Sequence, residues 1–248
     1  MAKTSGLGDQ FLFGGYDLSG EVNALSKIDC PQGTFDVTPI IKSAYVRIGG
    51  LRDGGIDFTT LFDPAIGHSH PVLATLPRTD VVCSYLRGGI LGNPAACQVA
   101  KQVDYNPTRG ADGMLSSTVS SVANSFGLEW GIQLTAGQRT DTAATNGTAV
   151  DFTAASSFGF QAYLQVTAFT GTDVTVKLQD SADNVTFADV SGGAFTQTTA
   201  AHTAQRLAVA NTATIRRYVR ATTVTSGGFT SATFSVVLVV NQIAGVTF

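Results

Sequence analysis

Charge is scarce in this sequence. Only 13% of its 248 residues are charged, 15 Lys or Arg against 18 Asp or Glu, for a formal net charge of −3. Tight nucleic-acid binding needs a dense cationic face to neutralise phosphates. The nearest approach, Arg216, Arg217 and Arg220, sits inside a strand-like segment. Long apolar runs are missing too. The longest, Val236 to Val240, is strand-sized, whereas a membrane-spanning helix needs about 20 apolar residues. The start, MAKTSGLGDQ, carries one lysine and no apolar stretch behind it. It is not read as a secretory signal, so synthesis in a cytoplasm is expected. The three cysteines, Cys30, Cys83 and Cys97, cannot all pair within one chain and show no CxxC spacing. They are expected to be reduced and mostly buried, behaving as small apolar residues rather than a disulfide framework.

What is abundant is Gly, Thr, Ser and Ala, within a chain that is 44% hydrophobic. That content and length suffice for one large β domain or two modest ones. The dominant period is two. Phe158, Phe160, Ala162, Leu164 and Val166 alternate with polar residues that include Gln161, Gln165 and Thr167. Val174, Val176 and Leu178 do the same, as do Phe234, Val236, Leu238 and Val240. Such alternation predicts antiparallel strands with one buried face each. Further strands are expected at Gln10–Phe13, Ile56–Phe62, Asp80–Leu86, Gln98–Tyr105, Met114–Val122 and Glu129–Leu134. Helical spacing stands out only in Thr38–Leu51, with Thr38 as cap, Pro39 at the first position and Gly49-Gly50 as a left-handed stop. A second short helix is expected at Pro71–Leu76. The small, polar, patternless stretch Ala136–Val150 reads as a linker. The expectation is therefore a mainly β protein: residues 1–135 a β-sandwich or barrel with one helix, 136–150 a linker, and 151–248 an antiparallel sandwich, immunoglobulin-like or jelly-roll-like, of roughly seven or eight strands.

Catalytic constellations are hard to find. No serine stands in GxSxG, and there is no P-loop or HExxH. FGGYDLSG lacks the lysine and spacing of a phosphate loop, and Gly14-Gly15 reads as a turn between strands. Asp53, Asp57 and Asp63 are close in sequence, but Asp53-Gly54 is a turn signal. The pair His68 and His70 could place two imidazoles on one side of a strand, with Asp63 as the nearest further ligand. The plainer reading is a loop leading into the short helix at Pro71. The NxT matches at Asn146 and Asn184 are read as chance. The expectation is a chain without catalytic residues, cofactor or metal.

The first ~135 residues resemble the tail tube (major tail) proteins of long non-contractile-tailed phages, especially those of actinobacterial hosts. The resemblance is carried in order by FLFGGYDLSG (Phe11–Gly20), FDVTPIIKSAYVRIGGLRDGGIDFTTLFDP (Phe35–Pro64), HPVLATLPRTDVVCSYLRGG (His70–Gly89) and KQVDYNPTRGADGMLSSTVSSVAN (Lys101–Asn124). It implies a self-assembling virion protein: closed rings, usually hexameric, stacked into a tube through which DNA passes without specific binding. Other tail proteins would be its partners, and the virion tail its location. The loop around Asp63, His68 and His70 and the hairpin carrying Lys101, Tyr105, Arg109 and Asp112 are the expected subunit or ring contacts. Gln98, Gln102, Ser117 and Ser121 are the expected lumen-facing residues. The second half, with KLQDSADNVTFADV and RRYVRATTV, resembles accessory β modules of virion proteins. Similar sandwiches bind sugars, so the competing expectation is a carbohydrate-binding, host-adhesion or decoration protein. Tyr163, Phe187, Tyr218 and Phe229 are the aromatics available to it, but they read more readily as core or corner residues.

Overall fold

The computed structural model describes residues 5–243. The first half contributes β1 (Gln10–Phe13), β2 (Tyr16–Asp17), β3 (Val22–Asp29), β4 (Gln32–Asp36), β5 (Arg47–Arg52) and β6 (Gly55–Leu61). After a one-turn helix α1 (Ser69–Leu73) come β7 (Val81–Leu86), β8 (Pro94–Gln102), β9 (Asn106–Arg109), β10 (Leu115–Ala123) and β11 (Glu129–Gln133). The second half contributes β12 (Arg139–Asp141), β13 (Val150–Asp151), β14 (Phe160–Thr170) and β15 (Val174–Ser181). It ends with β16 (Ala188–Ala194), β17 (Thr203–Ala208), β18 (Tyr218–Thr225) and β19 (Ser231–Val240). The mainly β expectation holds.

One antiparallel sheet follows the order β17-β14-β19-β11-β8-β10-β6-β3 and so runs through both halves of the chain. The junction is the pairing of β11 with β19, where Ile132 lies opposite Leu238. The stretch expected as a linker is built into this sheet: β12 pairs with β19, Arg139 opposite Phe234. Its small polar residues serve turns, and Arg139 donates to the Ala221 carbonyl at 3.2 Å. A second sheet, β13-β18-β15-β16, covers the far face of β14 and β19. Phe160, Leu164, Phe234, Val236, Val176 and Leu178 fill the sandwich between them.

The alternation of β14 and β19 is real, but both faces of these strands are buried. On the side away from the sandwich, Tyr163, Val237 and Val239 pack against Leu12, Val82, Leu86 and Val99 of the first half. Among the polar members of the pattern, Gln165 is satisfied inside. Gln165 donates its amide to the Val82 carbonyl at 2.8 Å and to Ser84 Oγ at 3.1 Å. Its oxygen accepts the Gly15 N–H at 2.7 Å. A buried amide group that loses water needs such partners, and here they fasten one half to the other. A third cluster, Phe11, Phe13, Ile56, Phe58, Val119 and Leu73, forms the core of the first half.

Two expectations fail in the same place. Thr38–Leu51 is no helix, and Gly49 and Gly50 lie in strand β5 rather than in a left-handed turn. The segment is the far end of a two-stranded hairpin, β4 against β5, with Phe35 opposite Ile48 and Asp36 opposite Arg47. Thr38 closes it: its hydroxyl accepts the Val46 N–H at 2.7 Å, and Asp36 Oδ1 accepts the Thr38 N–H at 2.9 Å. Pro39 begins a turn completed by the Lys42 N–H at 3.0 Å. The side chain expected to cap a helix is thus spent on the hairpin. The helical apolar face has nothing to pack against, which removes the main source of helix stability. The expected second helix survives as α1, ending before Leu76, whose φ is +41°.

Candidate assembly surface

The hairpin of β4 and β5 leaves the main body. Its two strands pair with each other and, among the described residues, with no further strand. Phe35 and Ile48 form a cross-strand apolar pair that is 60% and 53% exposed. Val37, Ile40, Ile41, Tyr45, Val46 and Leu51 are exposed on the same arm. Gly50 lets the strands close under the Phe35 ring, because a Cβ there would come within 2.9 Å of it. Arg47 lies over the Tyr45 ring at 4.5 Å. The Asp36 carboxyl is held below its usual range by the Thr38 hydroxyl and backbone N–H, so it keeps its charge and the turn it organises. A hairpin alone is marginal in water, and a contiguous exposed apolar surface of this kind marks an interaction site.

Unpaired strand margins accompany the arm. Among the described residues β3 pairs only with β6, and β17 only with β14, so each offers free N–H and C=O groups along one side. β9 is fully exposed and, among the described residues, pairs only with β10. At the tip of that hairpin Arg109 and Asp112 stand in solvent, with Asp112 Oδ1 accepting the Met114 N–H at 3.0 Å.

The other expected contact residues are drawn into local pairs. Lys101 Nζ bridges to Asp80 at 2.8 Å and donates to the Arg78 carbonyl at 2.7 Å. His70 Nδ1 meets the Tyr105 hydroxyl at 2.9 Å, and its ring packs on Phe62 at 4.4 Å. His68 turns the other way, toward Asp63 and Glu21. The HSH motif therefore does not gather two imidazoles. The lumen-facing expectation needs correction. Gln98, Gln102, Ser117 and Ser121 are all buried within the chain itself. Gln98 donates to Ser121 Oγ at 2.9 Å, Gln102 to the Leu73 carbonyl at 2.7 Å, and Ser121 to the Ile56 carbonyl at 2.8 Å. Polar side chains at alternate strand positions looked solvent-facing, but the opposite layer covers them.

The junction of the two halves holds a buried ion pair, Arg206 with Glu129, at 3.0 Å and 7% and 3% side-chain exposure. Arg206 also donates to the Tyr163 hydroxyl at 3.1 Å and lies over the Phe126 ring at 3.8 Å. Tyr163 in turn hydrogen-bonds Glu129. Burial, reinforced by the Glu129 charge, pushes the Tyr163 phenol far up, so it stays a neutral donor. Tyr163 is thus a core residue. Phe187 sits under Arg220 at 4.0 Å, Tyr218 under Arg217 at 4.9 Å, and Phe229 packs with Phe169 at 6.2 Å. The four aromatics weighed as a sugar platform are engaged in such contacts. Sequence reading missed the arm because its apolar spacing fits a helix. The β-branched residues Val37, Ile40, Ile41 and Ile48 were the available signal against one.

No protein-family model matches the sequence, and no curated protein is significantly similar to it. Among solved structures, a chain from the virion of a native gene transfer agent particle is similar at 12% identity and a TM-score of 0.39, over 52% of this chain and 98% of that one. The Dit (gp 19.1) protein of phage SPP1, described as a hub adsorption apparatus of Gram-positive-infecting phages, is similar at 12% identity and a TM-score of 0.31, over 94% and 99%. A chain of the phage p2 baseplate in its activated conformation is similar at 11% identity and a TM-score of 0.33, over 96% and 99%.

Proposed function

We propose that this chain is a structural virion protein that assembles with copies of itself, as a tail tube subunit of a long non-contractile-tailed phage. The observation that carries the proposal is the apolar arm of β4 and β5, which the chain leaves uncovered. Exposing these side chains to water is unfavourable at roughly 25 cal/mol per Å². The arm would be covered by a neighbouring subunit, and the open margins of β3 and β17 are available to continue sheets between copies. Heterologous contacts of this kind close into rings when the rotation allows and extend into filaments along the axis. The exposed hairpin tip with Arg109 and Asp112 would contact the next subunit or ring. With few basic residues and a net negative charge, the assembled surface would let DNA pass without holding it.

The test is electron microscopy and light scattering of the purified chain, at increasing concentration and with tail-initiation proteins present. Rings or tubes, abolished by replacing residues 37–46 with a short turn, are expected. A chain that stays monomeric under all these conditions refutes the proposal.

A further inference from the structure

Glu21 is far in sequence from Asp63 and His68, which share one loop, and the three meet at one end of the first-half sheet. Strand pairing causes it. β3 runs against β6 with Val22 opposite Thr60, and the Leu61 N–H donates to the Glu21 carbonyl at 2.9 Å. Glu21 is thereby fixed beside the end of β6, two residues before Asp63. The chain then doubles back. Asp63 Oδ1 accepts the Ala65 N–H at 2.8 Å, and Gly67, with φ of +84°, completes the reversal that returns His68 over Asp63. Ser69 locks the loop by donating to the Leu61 carbonyl at 2.6 Å and accepting the Asp63 N–H at 3.0 Å.

The convergence leaves ligand atoms facing one another. His68 Nδ1 lies 2.6 Å from Glu21 Oε1 and 3.3 Å from Asp63 Oδ2. One ligand atom from each residue falls within 4.8 Å of the others. The Asp63 oxygen that organises the turn is Oδ1, which leaves Oδ2 for the cluster. Glu21 Oε2 is buried and, among the described residues, accepts no hydrogen bond. A carboxylate oxygen removed from water without a donor is unfavourable, and no described residue supplies one. A cation taken by both oxygens of the Glu21 carboxylate would satisfy it.

We propose that Glu21, Asp63 and His68 bind a divalent transition cation of the Zn²⁺ type. One imidazole nitrogen with two carboxylates is a donor set that such ions accept, whereas Ca²⁺ and Mg²⁺ favour oxygen alone. Ligands at about 2.1 Å from a tetrahedral ion stand about 3.4 Å apart. The Nδ1 to Oδ2 distance meets that spacing, and the Nδ1 to Oε1 contact must open by several tenths of an ångström. On binding, His68 presents an unprotonated Nδ1, keeps its proton on Nε2, and releases the proton now shared with Glu21 to solvent. His68 and Asp63 are partly exposed, so water can fill the fourth position. All three ligands come from one chain, so the site needs no second copy, and it changes the sequence-based expectation of no metal. His70, the other histidine of the motif, takes no part.

The test uses the full chain after chelator treatment, titrated with Zn²⁺ by calorimetry and with Co²⁺ by visible absorbance. One ion per chain and the intense bands of low-symmetry Co²⁺ are expected. Glu21→Gln, which keeps the side-chain shape, and His68→Ala should each weaken Zn²⁺ binding about tenfold or more, while Asp112→Asn at the distant hairpin tip leaves it unchanged. Thermal melts without metal confirm that the variants fold. Absence of saturable Zn²⁺ binding by the unmodified chain overturns the proposal. So does binding indifferent to both variants, or Ca²⁺ binding unaffected by His68→Ala.

Discussion

Phe35 and Ile48 face each other across the arm of β4 and β5, and neither is covered by the rest of the chain. Cross-strand apolar pairs of this kind contribute roughly 0.2–1 kcal/mol to a hairpin, yet most of their area remains in water. The pair spends little on folding its own chain and is free to be buried by another.

Replacing both with serine should therefore leave the main body standing. The thermal midpoint of the unassembled chain is expected to change little, since surface substitutions usually fall within about 0.5 kcal/mol. Assembly should be lost, and light scattering beside a melting curve separates the two effects. A variant that assembles as well as the parent would remove the arm from the interface.

The cysteines offer a reporter. Cys83 and Cys97 are buried, and burial pushes each thiol up to about 12, whereas Cys30, next to β4, is exposed. Thiolate is the reactive form. Titration of the unassembled chain with a thiol-specific reagent at pH 8 should label Cys30 alone, and denaturant should release the other two. Slower labelling of Cys30 after assembly would place the base of the arm in the interface.

Arg206 and Glu129 join the halves as a buried ion pair. Arg206→Met leaves a buried carboxylate with its tyrosine partner alone, and a loss of about 3–5 kcal/mol is expected. Adding Glu129→Gln should restore a large part of it, because the remaining group no longer carries charge. Urea unfolding of the two single variants and the double variant measures this. Additive losses would argue against coupling.

Acid should act on the loop after β15. The Asp183 carboxyl is held well below the usual carboxylate range, first by the Thr186 N–H, then by the Ser181 hydroxyl and the Val185 N–H. A depressed folded value means its contribution is complete above the unfolded value of about 3.9 and is lost as pH falls toward the folded one. Asp183→Ala should lower the melting temperature at pH 6. The gap to the parent should narrow as pH drops below about 4. A gap that stays constant would show that the charge is not what matters.

Much of the fold was legible. The start and end of β1 were read from Gln10–Phe13 alone, and β6, β7, β10, β11, β14, β15 and β19 fell within a few residues of their expected places. These strands carry alternating apolar residues bounded by turn chemistry, which is a local signal. β3, β16 and β17 carry weaker alternation and were missed, being partly exposed margins.

The sequence by itself determined that this is a β protein with reduced thiols, no dense basic face and no apolar run long enough for a spanning helix, because composition and period express local preference and total charge. Tertiary structure decided the rest. It put Gln161, Gln165 and the Gln98–Ser121 pair inside, since burial of a strand's second face depends on what covers it. It turned Thr38–Leu51 into an arm, because an amphipathic pattern forms a helix only when something receives its apolar face. It brought Glu21 to Asp63 and His68, because strand register joins residues that sequence distance keeps apart.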